Sequence, residues 1–274
     1  MDLSNEFSVL MTVYHKDSPI FFTTALRSII DQTLPPKEIV LVADGPLTPE
    51  LNAVIADFQN DSPSLFNFIS LPKNMGMGYA MDTGLKACKF EYVARMDADD
   101  IAKSDRFFKQ MEYLTAHPET DIVGANIEEF AHEPGDLKRF RKVAVEHNDI
   151  VEFAKSRCPF NHMTVMYKRS KVLNAGSYWS KRIFEDYHLW YQMIRAGYRC
   201  HNLPEPLVFA RVGNNMVGRR RGLSYFLMEK DFFKLMKSDE FITAPQYYKS
   251  LSIRMLTRIL PLKVTELIYK TLLR

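Results

Sequence analysis

Four short runs of the chain, Phe7–Val13, Glu38–Ala43, Phe66–Leu71 and Tyr92–Met96, are apolar almost from end to end, and a helical stretch follows each. A strand with one wet face alternates apolar and polar residues, so strands apolar throughout must be covered on both sides. The pattern predicts an α/β protein: a parallel sheet with helices against both faces. The intervening helices are expected over residues 21–32, 49–60, 78–86 and 104–117, the last ending before Pro118. Asp121–Phe130 and Thr164–Tyr167 read as further strands. Residues 186–196 read as a helix stopped by Gly197. Residues 131–144, with Pro134, Gly135 and a basic cluster, read as an excursion from the core. At 274 residues and 46% hydrophobic content the chain can bury one large core. The expected organisation is one α/β domain over residues 1–221 and a helical extension over residues 222–274.

Composition narrows the setting. Cys88, Cys158 and Cys200 are odd in number, widely spaced and contain no C-x-x-C pair, which disfavours a disulfide framework or a thiolate zinc site. Met1–Glu6 lacks a basic, apolar leader and no apolar segment reaches about 18 residues. The expectation is a cytoplasmic protein that does not span a bilayer.

In a parallel sheet all strand C-termini lie along one edge, where α/β proteins bind ligands. That edge collects Tyr14 after the first strand, Asp44-Gly45 after the second, Asn74-Met75-Gly76 after the third and Asp97-Ala98-Asp99-Asp100 after the fourth. Crowded carboxylates repel, and a divalent cation relieves them best. A solvated acidic turn is the plain alternative. No P-loop motif occurs. Gly76-Met77-Gly78 begins like a dinucleotide fingerprint, but Met81 stands where close packing needs Gly or Ala. A second acidic pair, Glu185-Asp186, opens a helix, where capping alone explains one of the two.

Taken in order, the segments Phe7–Tyr14, Ile39–Gly45, Asn74-Met75-Gly76, Asp97-Ala98-Asp99 and Glu185-Asp186 resemble family-2 glycosyltransferases over roughly residues 7–215. Residues 159–165 and 217–222 are similar to the bacterial enzymes that build O-antigen and exopolysaccharide repeats, the amylovoran-type group among them. The resemblance implies the GT-A nucleotide-diphospho-sugar transferase fold, with a mostly parallel central sheet flanked by helices and a helical tail. It implies an inverting transfer of a sugar from a nucleotide-diphosphate donor, a UDP-sugar by expectation, to a saccharide acceptor that is lipid-linked.

The resemblance also assigns roles. Asp44 contacts the base, although Ala43 replaces the usual acid before it, and Tyr14 lies beside the base or ribose. Asn74 and Gly76 pack against the nucleotide. Asp97 and Asp99 match the D-x-D motif and would hold Mn²⁺ or Mg²⁺, with Asp97 also facing the nucleotide, while Asp100 is expected to cap the next helix. Asp186 is the catalytic base. Glu185, Asn161, His162 and Trp190 are expected on the acceptor side, and Arg219 on a loop over the diphosphate. A glycan-binding scaffold without catalysis and a nucleotidyltransferase are the alternatives.

Six basic residues against one acid lie between Tyr247 and Arg274, in a chain of net charge +3. Tyr248, Leu251, Met255 and Ile259 recur at helical spacing, with Arg254 and Arg258 on another face. Two readings stand: an amphipathic helix on an anionic membrane at its inner face, or a helix packed on the protein or on a second copy. The apolar content is too high for a nucleic-acid arm.

Overall fold

The computed structural model describes residues 6–180, 183–213 and 222–259. They form two compact units: residues up to Val151 with Cys158–Arg211, and Glu152–Arg157 with the chain after Arg211.

The first unit is built on one sheet of order β3-β2-β1-β4-β8-β6-β9-β5. Its strands are β1 (Phe7–Val13), β2 (Glu38–Ala43), β3 (Phe66–Ser70), β4 (Tyr92–Met96), β5 (Ile101–Ala102), β6 (Thr120–Phe130), β7 (Arg139–Arg141), β8 (Met166–Lys168) and β9 (Arg199–Arg211). The four strands foreseen from uniform apolarity pair in parallel, β1 with both β2 and β4 and β2 with β3. Every residue of β2 and of β4 is buried. The other half is mixed: β8 runs antiparallel to β4 and β6, β9 is parallel to β6, and β5 and β7 add antiparallel edges.

Helices α1 (Pro19–Ile30), α2 (Pro49–Asp61), α3 (Met77–Ala87), α4 (Arg106–Ala116), α5 (His147–Ala154), α6 (Arg169–Asn174) and α7 (Glu185–Arg195) follow the strands. Ser18 and Thr48 accept the amides of Phe21 and Leu51, and a proline follows each cap. Proline needs no hydrogen-bond acceptor at that position, so α1 starts earlier than its periodicity suggests. Phe22, Leu26 and Ile29 of α1 are wholly buried. Burial of this kind contributes about 1.5–3 kcal/mol per side chain. Gly84 brings α3 onto the sheet, because a Cβ there would lie 2.4 Å from Leu10 Cδ1 and 2.7 Å from Val42 Cγ2.

Strand β9 escapes a sequence reading because Pro204 and Pro206 interrupt it. The sheet absorbs them through register shifts around Asn126. The Asn126 side chain replaces the lost pairing, donating to Pro204 O at 2.6 Å and accepting from Val143 N at 2.9 Å. The expected excursion at residues 131–144 is in part sheet, since β7 pairs with β6.

In the second unit, α8 (Leu223–Ser238) and α9 (Ala244–Ile259) are joined by a buried ion cluster. Glu229, fully buried, accepts from Arg254 at 2.6 Å and from Arg258 at 2.7 and 2.9 Å. Arg254 and Arg258 thus neutralise an internal carboxylate, while Tyr248, Ile253, Met255 and Leu256 are exposed. No described helix is long and apolar enough to cross a membrane.

Candidate active site

The chain winds outward from β1 through β2 to β3, then returns to place β4 on the other side of β1. A crevice opens at such a reversal, at the strands' C-terminal ends. Tyr14 and Asp17 leave β1 there, and Asp97–Asp100 leave β4. Ligand oxygens of Asp97, Asp99 and Asp100 lie within 4.8 Å of one another.

The cluster is held by arginines. Arg95 and Asp97 are two apart at a strand end and share a side. The Arg95 guanidinium, 1% exposed, ion-pairs with Asp97. Its Nε and Nη1 find no acceptor among the described residues. Arg106, also fully buried, donates to Arg95 O at 2.7 Å and to Gln110 Oε1 at 3.0 Å, fixing the end of β4 on α4. Its own burial, with Arg95 nearby, pushes its pKa down to about 9. Arg211, at the end of β9, gives its amide to Asp100 Oδ1 at 2.7 Å and its Nε to Asp99 O at 3.1 Å. Its guanidinium lies 3.7 Å from the Phe21 ring centroid and 4.4 Å from that of Phe130.

Asp100 therefore does not cap the next helix. Helix α4 starts after Asp105, whose side chain makes no capping bond, and Asp100 instead ties the acidic turn to β9. Burial first, then Asp97 and Asp99, raise its pKa well above the usual carboxylate range. The sequence reading passed over Asp17. Its carboxylate accepts the Tyr14 amide at 2.9 Å, and burial with repulsion from Asp99 and Asp97 raises its pKa to about 7. The hard oxygen donors gathered at this turn suit Mg²⁺ or Mn²⁺.

At the next strand end, Asp44 accepts Met75 N at 2.7 Å and Gly76 N at 3.0 Å, and Asn74 Nδ2 reaches Asp44 O at 3.3 Å. The two loops meet closely, since a Cβ on Gly45 would lie 2.6 Å from Asn74 N. Gly45 and Gly76 both have φ near +90°, which glycine adopts freely.

Helix α7 begins with Glu185 and Asp186, directly after Phe184 in the left-handed region (φ 61°). Asp186 Oδ1 accepts Tyr187 N at 2.7 Å, and the Cys158 thiol donates to Oδ2 at 3.5 Å. No motif pointed to Cys158. Burial, with Asp186 beside it, holds its thiol well above the usual range.

The expected acceptor residues divide. His162 Nε2 lies 3.2 Å from Tyr178 Oη, and Tyr178 Oη lies 3.3 Å from Tyr167 Oη. Burial and Arg95 push the His162 pKa well below its usual value, so the ring is neutral. Trp190 is fully buried, edge-on to Phe160, His162 and Tyr178. It packs the core and presents no face to a sugar. Asn161 is 1% exposed and gives its amide to Ala125 O at 2.9 Å, so it too is internal. Glu185 lies against α3, where a Cβ on Gly78 would be 3.1 Å from Glu185 Cβ. Arg219 lies outside the described residues.

Residues 8–224 match the family model for Glycosyl transferase family 2. The chain is similar to the amylovoran biosynthesis glycosyltransferase AmsE of Erwinia amylovora, with 40% identity over 96% of this chain and 98% of that protein. It is 34% identical, over its whole length and 98% of the relative, to an Escherichia coli UDP-Gal:alpha-D-GlcNAc-diphosphoundecaprenol beta-1,3-galactosyltransferase. Its fold matches mannosyltransferase PcManGT of Pyrobaculum calidifontis, solved with GDP-Man and Mn²⁺, at a TM-score of 0.63 and 17% identity. That match covers 96% of this chain and 78% of the other.

Proposed function

The chain belongs to glycosyl transferase family 2, and from that premise we propose that it transfers a sugar, with inversion, from a UDP-sugar to a lipid-linked saccharide in surface polysaccharide synthesis. One observation carries the reading: three carboxylates crowd the sheet's reversal point and a fourth, Asp186, stands on a separate helix start. That division suits a displacement in which charge leaves on one side and a proton on the other.

Asp97 and Asp99 would hold Mn²⁺ or Mg²⁺, which when bound offsets the charge developing on the departing nucleoside diphosphate. Asp44 keeps the Asn74–Gly76 loop against the nucleotide, with Tyr14 beside it. Asp186 accepts the proton of the acceptor hydroxyl as its oxygen attacks the anomeric carbon, and no covalent enzyme intermediate is needed. The lipid-linked acceptor and the UDP donor are supported by the name of the Escherichia coli relative. With such an acceptor the reaction would run at the inner face of a membrane.

The test is Asp186→Asn. Turnover should fall at least about 100-fold, with UDP affinity in the presence of Mn²⁺ unchanged. Near-normal turnover removes Asp186 from the role of base.

A further inference from the structure

An open groove of about 440 Å³ lies between the outer face of α3 and residues 173–180, inside the ~300–1,000 Å³ range of small-molecule sites. Tyr79, Asp82 and Lys86 line it from α3 at i, i+3 and i+7, one face of the helix. Leu173, Ser177 and Tyr178 line it from the other side. We propose that this groove binds a neutral pyranose of the saccharide acceptor, which rests on the transferase reading above.

Two observations point to that ligand. First, Asp82 and Lys86 pair at 2.7 Å, so the lining offers donors and acceptors without excess charge. That composition suits a hydroxyl-rich ring better than a diphosphate, which calls for unpaired cations. Second, Tyr79 is 39% exposed and supplies an aromatic surface beside those polar groups.

The groove also adjoins the candidate base. Gly78 lies against Trp179 O and Glu185 Cβ, so the first turn of α3 touches the turn that carries Asp186. A sugar held there is anchored next to the proton acceptor.

The experiment is saturation-transfer NMR on the full chain with UDP and Mn²⁺ present. The probes are methyl α-N-acetylglucosaminide, methyl β-galactoside, methyl α-glucoside and methyl α-mannoside. At least one pyranoside should bind saturably, and Tyr79→Ala and Asp82→Asn should each weaken it about fivefold without changing UDP affinity. Equal affinity in wild type and variants overturns the proposal, as does the absence of pyranoside binding where UDP binds. A wild-type protein that fails to bind UDP with Mn²⁺ counts against the transferase reading. A pyranoside signal that still depends on Tyr79 would then leave the groove standing as a sugar site.

Discussion

Asp44 and Asp99 both stand past the end of a parallel strand on the same sheet edge, yet they are opposite kinds of carboxylate. Asp44 is satisfied from within, with both oxygens bonded to backbone amides of the neighbouring loop. Asp99 shares its turn with Asp97 and Asp100, and the pKa values of Asp100 and of nearby Asp17 are raised by burial first and then by the neighbouring carboxylates. The first holds the protein's own backbone in place. The second stands in a turn crowded with like charge. An aspartate at a strand end thus has two fates, and the charges beside it separate them.

The sharpest test removes one of each. Asp99→Ala should cost at least about 100-fold in UDP affinity under Mn²⁺, measured by calorimetry, with a melting temperature no lower than wild type's. Asp44→Ala should reverse the balance and lose about 2 kcal/mol of unfolding free energy in urea, since two charge-assisted bonds go. An Asp44→Ala protein of unchanged stability would erase the contrast.

A gentler probe is pH. Asp17 binds its proton more tightly folded, at about 7, than at its ordinary value of 3.8. Its contribution to stability is therefore full below 3.8 and is lost as pH rises through about 7. The metal-free melting temperature should decline across that window. Mn²⁺ should restore it most at the upper end, and Asp17→Asn should flatten the slope.

Much of the framework was legible. The strands β1, β2 and β4 were bounded correctly because residues buried on both faces leave no polar phase to misread. The gathering of Asp97 and Asp99 past the end of β4 could also be read from the order of residues. What could not be read depended on distant partners. Asp100 looked like a cap, but its partner is an amide 111 residues away. Arg95 interrupted an apolar run, and only the fold explains it, as the counter-ion of Asp97. Cys158 meets Asp186 across 28 residues with no motif between them. Trp190 stayed open because aromatic rings serve sugars and cores alike, and its full burial places it in the core.

Gly78 has one more implication. A Cβ there would fall 2.0 Å from Trp179 O, so α3 and the chain leading to Asp186 touch backbone to backbone with no side chain to cushion them. Side chains can rotate out of a neighbour's way, whereas peptide groups cannot. The helix that follows the Asn74–Gly76 loop and the Trp179 backbone are thereby geared, and a shift in one by the width of a methyl group is felt at once by the other.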